Sequence, residues 1–183
     1  MIVTIHQPNF FPWRPFFEKI QQADVYVCLT HCQFEKNGYQ NRFDYNNKWY
    51  TMSVNKGLEP IRDKVYVNPK EDWDRIKNSL PEYKSVLNEF DKCIGESLSA
   101  TNFCIIFNLC DMLDIEVPEL EMDYPTPLKS TDRLVDICVQ YGATKYLSGI
   151  GGKGYLDESL FKKEGIDVIY QKIKKPVHVL ETL

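Results

Sequence analysis

The densest group of chemically capable side chains stands at the start of the chain: His6-Gln7-Pro8-Asn9, then Pro12-Trp13. A neutral imidazole can take a proton as a general base, or donate a hydrogen bond to a phosphate oxygen. It can equally be a structural histidine that caps a loop. Gln7 and Asn9 each offer a donor and an acceptor for orienting a ligand. Trp13, with Phe10 and Phe11 close by, suits either the wall of a sugar or base site or ordinary core.

Two further polar clusters carry chemistry. The first reads Cys32-Gln33-Phe34-Glu35-Lys36 and continues at Asn41-Arg42. Gln33 and Asn41 can donate and accept, while Lys36 and Arg42 could hold a phosphate or carboxylate, Arg42 through its bidentate fork. The second reads Ser148-Gly149-Ile150-Gly151-Gly152-Lys153-Gly154-Tyr155. Its glycines let backbone N–H groups come close to an anion, and Lys153 adds a point charge. This run is neither a P-loop nor G-x-G-x-x-G. Read as scattered surface loops, both clusters would be inert.

The elements expected to position these residues alternate between strand and helix. Residues 2–5 form a short β-rich run that stops at His6-Gln7-Pro8, since Pro8 drives Gln7 away from helical geometry. A helix is expected over 15–23, with Phe16, Phe17, Ile20 and Ala23 on one face, and a strand over 25–29. Strand, helix, strand in so short a span is a βαβ unit, which requires a parallel pair. Residues 30–47 read as loop, with Asn46-Asn47 able to turn a hairpin; 49–54 and 64–67 read as strands. A helical block over 72–115 suggests an insertion or cap. The alternation then returns: a helix capped by Ser130 and ended by Gly142, a strand over 145–147, a helix over 157–164 closed by Gly165, and a strand over 168–171.

The expected architecture is therefore one α/β domain over residues 1–183, a mostly parallel sheet flanked by helices with a helical middle segment. In such sheets ligands bind beyond the carboxyl ends of the strands, and each polar cluster follows an expected strand. The candidate pocket has His6 as base and Lys36 and Arg42 as charged partners. Gln7, Asn9, Trp13, Gln33, Asn41, Ser148, Gly149, Gly151, Gly152 and Lys153 would bind substrate.

Composition narrows the function. A net charge of −4 and no Lys/Arg cluster clear of compensating acids argue against nucleic acid. The basic run at 172–175 reads as a solvated strip. No stretch approaches the roughly 18 apolar residues of a membrane span, and the N-terminus lacks the basic region and long apolar run of a signal peptide. A cytoplasmic address is expected, so the six cysteines should be thiols. Cys93, Cys104, Cys110 and Cys138 fall in apolar helical patterns. Cys28 and Cys32 flank His31 in a C-x3-C pair, but no second ligand pair accompanies them, so no metal site is expected. The sequence leaves the cofactor unknown.

The chain resembles the WbqC-like family, found in bacterial polysaccharide (O-antigen) gene clusters. The resemblance rests on His6-Gln7-Pro8 with Pro12-Trp13 and Phe17, on Ala23-Asp24, Gln33-Phe34-x-Lys36, Asn41-Arg42 and Trp49, and on Tyr146-Leu147-Ser148-Gly149 through Gly152 with Tyr155-Leu156. It runs in order from residue 1 to about 176. It implies modification of a nucleotide-linked amino sugar by aminoacyl or glycyl transfer, with a small donor or an acyl carrier as partner. Two departures bear on that: Thr30-His31-Cys32 stands where family members often carry an acid, and relatives commonly continue past the position of Pro176.

Three functions compete at this level. The first is an acyl transferase in which His6 deprotonates the attacking amine and the glycine run steadies an oxyanion, with Cys32 a conceivable thiol nucleophile. The second is a nucleotidyl-transfer enzyme, by analogy with a histidine just after a first strand, although the H-x-G-H step is missing. The third is a nucleotide-sugar-binding protein without turnover.

Overall fold

The computed structural model describes residues 1–173 and 176–183, so part of the basic run at 172–175 lies outside the described residues. The chain opens with β1 (Ile2–His6), α1 (Arg14–Ile20) and β2 (Val25–Cys28). An antiparallel hairpin follows, β3 (Arg42–Tyr45) with β4 (Lys48–Thr51). The helical block contains α2 (Pro69–Ser79), α3 (Lys84–Asn88) and α4 (Leu98–Met112). The alternation resumes with β5 (Glu119–Met122), α5 (Ser130–Gln140), β6 (Lys145–Ser148), α6 (Glu158–Lys163) and β7 (Asp167–Tyr170).

Five strands form one sheet in the order β5-β2-β1-β6-β7. Every pairing in it is parallel, with His6 opposite Cys28 at the carboxyl end. The chain winds from β1 outward to β2 and β5, then returns to place β6 on the other side of β1. That reversal opens a crevice between the carboxyl ends of β1 and β6, where open parallel sheets take ligands.

Strand alternation distributes the core over both faces. Val3, Ile5, Val25 and Val27 point toward α5 and α6, where Leu134, Ile137, Cys138 and Phe161 cover them. Tyr26 and Cys28 point the other way, into a larger core built by Phe16, Phe17 and Ile20 of α1, the aromatic loop Phe10-Phe11 and the helical block. His6 falls on this second face, its ring edge-on to Phe16 at 4.9 Å.

Several sequence expectations are corrected. β3 occupies part of the segment read as loop, because Phe43 and Tyr45 alternate with exposed neighbours and pack inward. Residues 64–67 make single bridges (Val54 with Tyr66, Val65 with Ser97) and no strand, because the Asn55 side chain takes the Val65 N–H. β5 was not expected at all. It is a partly exposed edge strand carrying Glu119 and Glu121, charges that blunt an edge and erase the apolar signal. Ser130 does not cap α5: it sits in the left-handed region (φ 51°), and Lys129 holds the cap position without a side-chain bond. Finally, not all six cysteines are thiols. Cys93 and Cys104 form a disulfide, because the turn before α4 brings their Cα atoms to 5.3 Å.

Candidate functional site

Two cavities meet at the β1/β6 crevice, and His6 and Trp13 line both. The larger, about 470 Å³, runs along the loop after β1 and is lined by Gln7, Asn9, Phe10, Phe11, Glu35, Tyr39, Phe43, Asp44 and His178. The smaller, about 280 Å³, lies over the end of β6 and takes Lys19, Ser148, Gly149, Gly151, Gly152, Tyr155 and Gln171. The larger lies within the range of small-molecule sites.

His6 is held neutral and oriented. Its Nδ1 donates to the Gln7 carbonyl at 2.9 Å, which leaves Nε2 as an acceptor. Burial, then the charge of Lys19 beneath it, lower its pKa from 6.5 to about 3, against a weak upward pull from the Gln7 carbonyl. Lys19 is buried, donates to the Ile5 carbonyl at 3.4 Å, and has its own pKa lowered to about 7 by burial.

The loop after β1 is fastened from below. Asn102 of α4 donates both to the Pro8 carbonyl at 2.7 Å and to the Gln40 carbonyl at 2.6 Å. Gln40 in turn donates to the Gln7 side chain, whose amide reaches Cys32 Sγ at 3.3 Å. Phe11 adopts a left-handed backbone (φ 47°), unusual for a bulky residue. It is held there by stacking on Trp73 and edge contact with Phe90. This kink sets Trp13 on the rim, where it is exposed.

The glycine run forms a short 3₁₀ turn, Ile150–Gly154, right after β6. Gly152 is needed for packing, since a Cβ there would meet Ser148 Oγ at 2.1 Å. Ser148 is buried and donates to the Gly149 carbonyl.

The residues expected to form the pocket divide. His6, Gln7, Asn9, Trp13, Ser148, Gly149, Gly151 and Gly152 line the two cavities. Lys36, Gln33, Asn41, Arg42 and Lys153 line neither. Arg42 curls back onto the Gly38 and Asn37 carbonyls and lies over the Trp49 ring at 3.9 Å from its centre. Asn41 is buried and exchanges bonds with the Met52 backbone. Lys36 and Gln33 are exposed, and Lys153 rests over Tyr170. Cys32 is no activated nucleophile, because burial raises its pKa.

Four contributors, Lys19, His178, Glu35 and Asp44, were not among the residues expected to form the pocket. Lys19 sits three residues after Phe16 and one before Ile20, on the apolar face, so its spacing was the available signal. His178 enters the larger cavity from the C-terminal segment, where its Nδ1 accepts from the Leu180 N–H and Glu181 completes a capping box. Burial lowers its pKa to about 4, against a weak opposite pull from the Phe11 carbonyl. Glu35 and Asp44 give that cavity two carboxylates. Asp123, just after β5, reaches the segment after β2: it accepts from the Thr30 and His31 backbone and from His31 Nδ1, and pairs with Arg133. Among the described residues no group of three or more His, Cys, Asp or Glu is placed to hold a metal.

The site is thus a neutral hydrogen-bonding imidazole between an aromatic, acidic cavity and a smaller one with a buried lysine. Comparison with known proteins agrees with the motif pattern. The sequence model of the WbqC-like protein family matches residues 7–179. The uncharacterized protein Rv1507c of Mycobacterium tuberculosis is 26% identical over 186 residues, covering 92% of this chain and 80% of its own length. A solved Zn(II)-bound AdcAII variant of Streptococcus pneumoniae aligns over 98% of this chain and 95% of its own at 13% identity. Its TM-score of 0.25 is too low to carry an argument.

Proposed function

We propose that this chain, which belongs to the WbqC-like protein family, is a transferase of bacterial surface-polysaccharide biosynthesis that modifies a nucleotide-linked amino sugar by aminoacyl or glycyl transfer. The observation that carries the reading is His6, whose Nε2 has no hydrogen-bond partner among the described residues, at the junction of two cavities of different chemistry. The larger cavity suits an amino sugar: Phe10, Phe43, Tyr39 and Trp13 offer flat apolar walls, and Glu35 and Asp44 attract an ammonium group.

In this reading the bound ammonium first loses a proton to solvent, and Nε2 of His6 then accepts the N–H of the resulting amine and aligns its lone pair on the acyl carbon. The new C–N bond forms as the bond to the donor's leaving group breaks, and the amine proton passes through Nε2 to that leaving group. The donor is a small acyl compound or an acyl carrier. A cytoplasmic address goes with this substrate class; the Cys93–Cys104 disulfide is unusual for that reducing compartment.

A second reading, nucleotide-sugar binding without turnover, is favoured by the pKa of His6, since an imidazole titrating near 3 is a weak base at neutral pH. Mixing the protein with nucleotide-linked amino sugars and glycyl or aminoacyl donors, then reading product masses, separates the two. A sugar carrying one added acyl group supports the transferase. Binding of the sugar with no new mass under any donor would replace it with the binding protein.

A further inference from the structure

Among the described residues three lysines are nearly or wholly buried, and two of them are locally satisfied. Lys64 donates to the Asn55 and Gly57 carbonyls at 2.8 Å each and to Glu59 at 2.7 Å. Lys77 pairs with Asp74 and Asp91. Lys19, only 3% exposed, has one long bond to the Ile5 carbonyl, and no carboxylate pairs with it among the described residues. A desolvated ammonium left without a counter-charge is costly. α1 would be better served by an apolar side chain at this position, between Phe16 and Ile20.

The smaller cavity that Lys19 lines is also lined by three residues without side chains, Gly149, Gly151 and Gly152. A Cβ at Gly149 or Gly151 would meet nothing within 4 Å, and neither residue needs a positive φ. Packing therefore does not require glycine at either place, unlike Gly152. Both glycines line the cavity that Lys19 lines.

We propose that Lys19 and the bare turn around Gly149 and Gly151 form a subsite for a phosphoryl group, supplied by the nucleotide portion of the ligand. The proposal rests on the reading of the His6 junction as the substrate site, and it assigns the ligand's two ends. The phosphate lies over Lys19 in the smaller cavity and the sugar lies in the larger, with His6 and Trp13 touching both. An anion beside Lys19 also supplies the counter-charge that the fold omits, and holds protonated an amine that burial otherwise brings to a pKa of about 7.

Calorimetric titration of the full chain with inorganic phosphate, individual nucleoside diphosphates and uncharged nucleosides tests this. Wild type should bind a nucleoside diphosphate and not its nucleoside. Lys19→Met should weaken that binding by roughly 10- to 100-fold, as for loss of a charged hydrogen bond, while Lys19→Arg should stay within a few-fold. Gly151→Leu guards against a folding artefact. Its side chain has room, so circular dichroism should be unchanged while the phosphate compounds no longer bind. Wild type that binds no phosphate compound, or Lys19→Met that binds as wild type does, would overturn the subsite. Inorganic phosphate binding with no gain from the nucleotide would overturn the nucleotide-linked ligand and keep the phosphoryl site. Lys19-dependent binding without acyl transfer keeps the subsite and removes the transferase; acyl transfer indifferent to Lys19→Met does the reverse.

Discussion

His6, His178 and Lys19 are all held with depressed pKa values, and each therefore taxes the fold in acid. The two histidines titrate near 3 and 4 when folded and near 6.5 when unfolded, so below pH 6.5 the unfolded chain binds more protons. Their contribution is complete above 6.5 and is lost as pH falls toward their folded values, by up to about 1.4 kcal/mol per pH unit for each group. Urea unfolding should show stability dropping steeply from pH 6.5 to 4; a flat profile would contradict the buried neutral imidazoles. Lys19 has the same sign at higher pH, with about 7 folded against 10.5 unfolded. Lys19→Met should thus be more stable than wild type at pH 7, with the advantage shrinking toward pH 10. A less stable variant at pH 7 would show that the lysine is structurally satisfied. These three groups were unequally legible. His6 stood out by its polar company. Lys19 did not, because a lysine within an aromatic helix reads as solvated until its spacing from Phe16 and Ile20 is weighed. Arg42 misled in the opposite direction: its charge suggested a ligand, while its guanidinium is occupied by Trp49 and two carbonyls of its own loop.

At the scale of elements, the site depends on a loop held from a distance. Asn102 lies 94 residues from Pro8 in sequence, yet its amide joins the loop after β1 to Gln40. Asn102→Ala leaves two buried carbonyls without this donor and should cost about 1–3 kcal/mol in denaturant unfolding. Any ligand binding in the larger cavity should weaken with it, and a loss below about 0.5 kcal/mol, the level of an ordinary surface change, would mean that the loop stands without α4. Gly152→Ala should also destabilise, because Ser148 Oγ occupies the space of the new methyl group; an unchanged thermal midpoint would show that Ser148 moves aside freely. The strands β1, β2 and β6 were readable because buried parallel strands are short apolar runs with turn residues around them, and β7, though a partly exposed edge strand, keeps such a run in Val168-Ile169-Tyr170. β5 was hidden by its edge charges, and 64–67 was over-read because local alternation says nothing about where its N–H groups go.

For the whole molecule, the order β5-β2-β1-β6-β7 is what turns sequence clusters into a site. The βαβ opening and the later α/β rhythm were legible, whereas the expected convergence of all three polar clusters on one pocket was not met by the segment after β2. The neighbour relation of β1 and β6 across 143 residues was not legible, since it depends on a crossover that no local pattern encodes. That relation brings the glycine turn to His6, whereas the segment after β2 sends Lys36 and Arg42 elsewhere. The Cys93–Cys104 link closes a loop inside the larger core cluster, and reducing it should lower unfolding stability by about 3 kcal/mol on loop-closure grounds. Equal stability with and without reductant would mean that the bridge contributes nothing to the fold. The central claim is that His6, at the junction of the two cavities, acts on the amine of a nucleotide-linked amino sugar. Its most direct test is kcat/KM for acyl transfer by wild type and by His6→Ala, with folding checked by circular dichroism. The account predicts a fall of about 100-fold or more with the fold intact; an unchanged kcat/KM in the folded variant would contradict it.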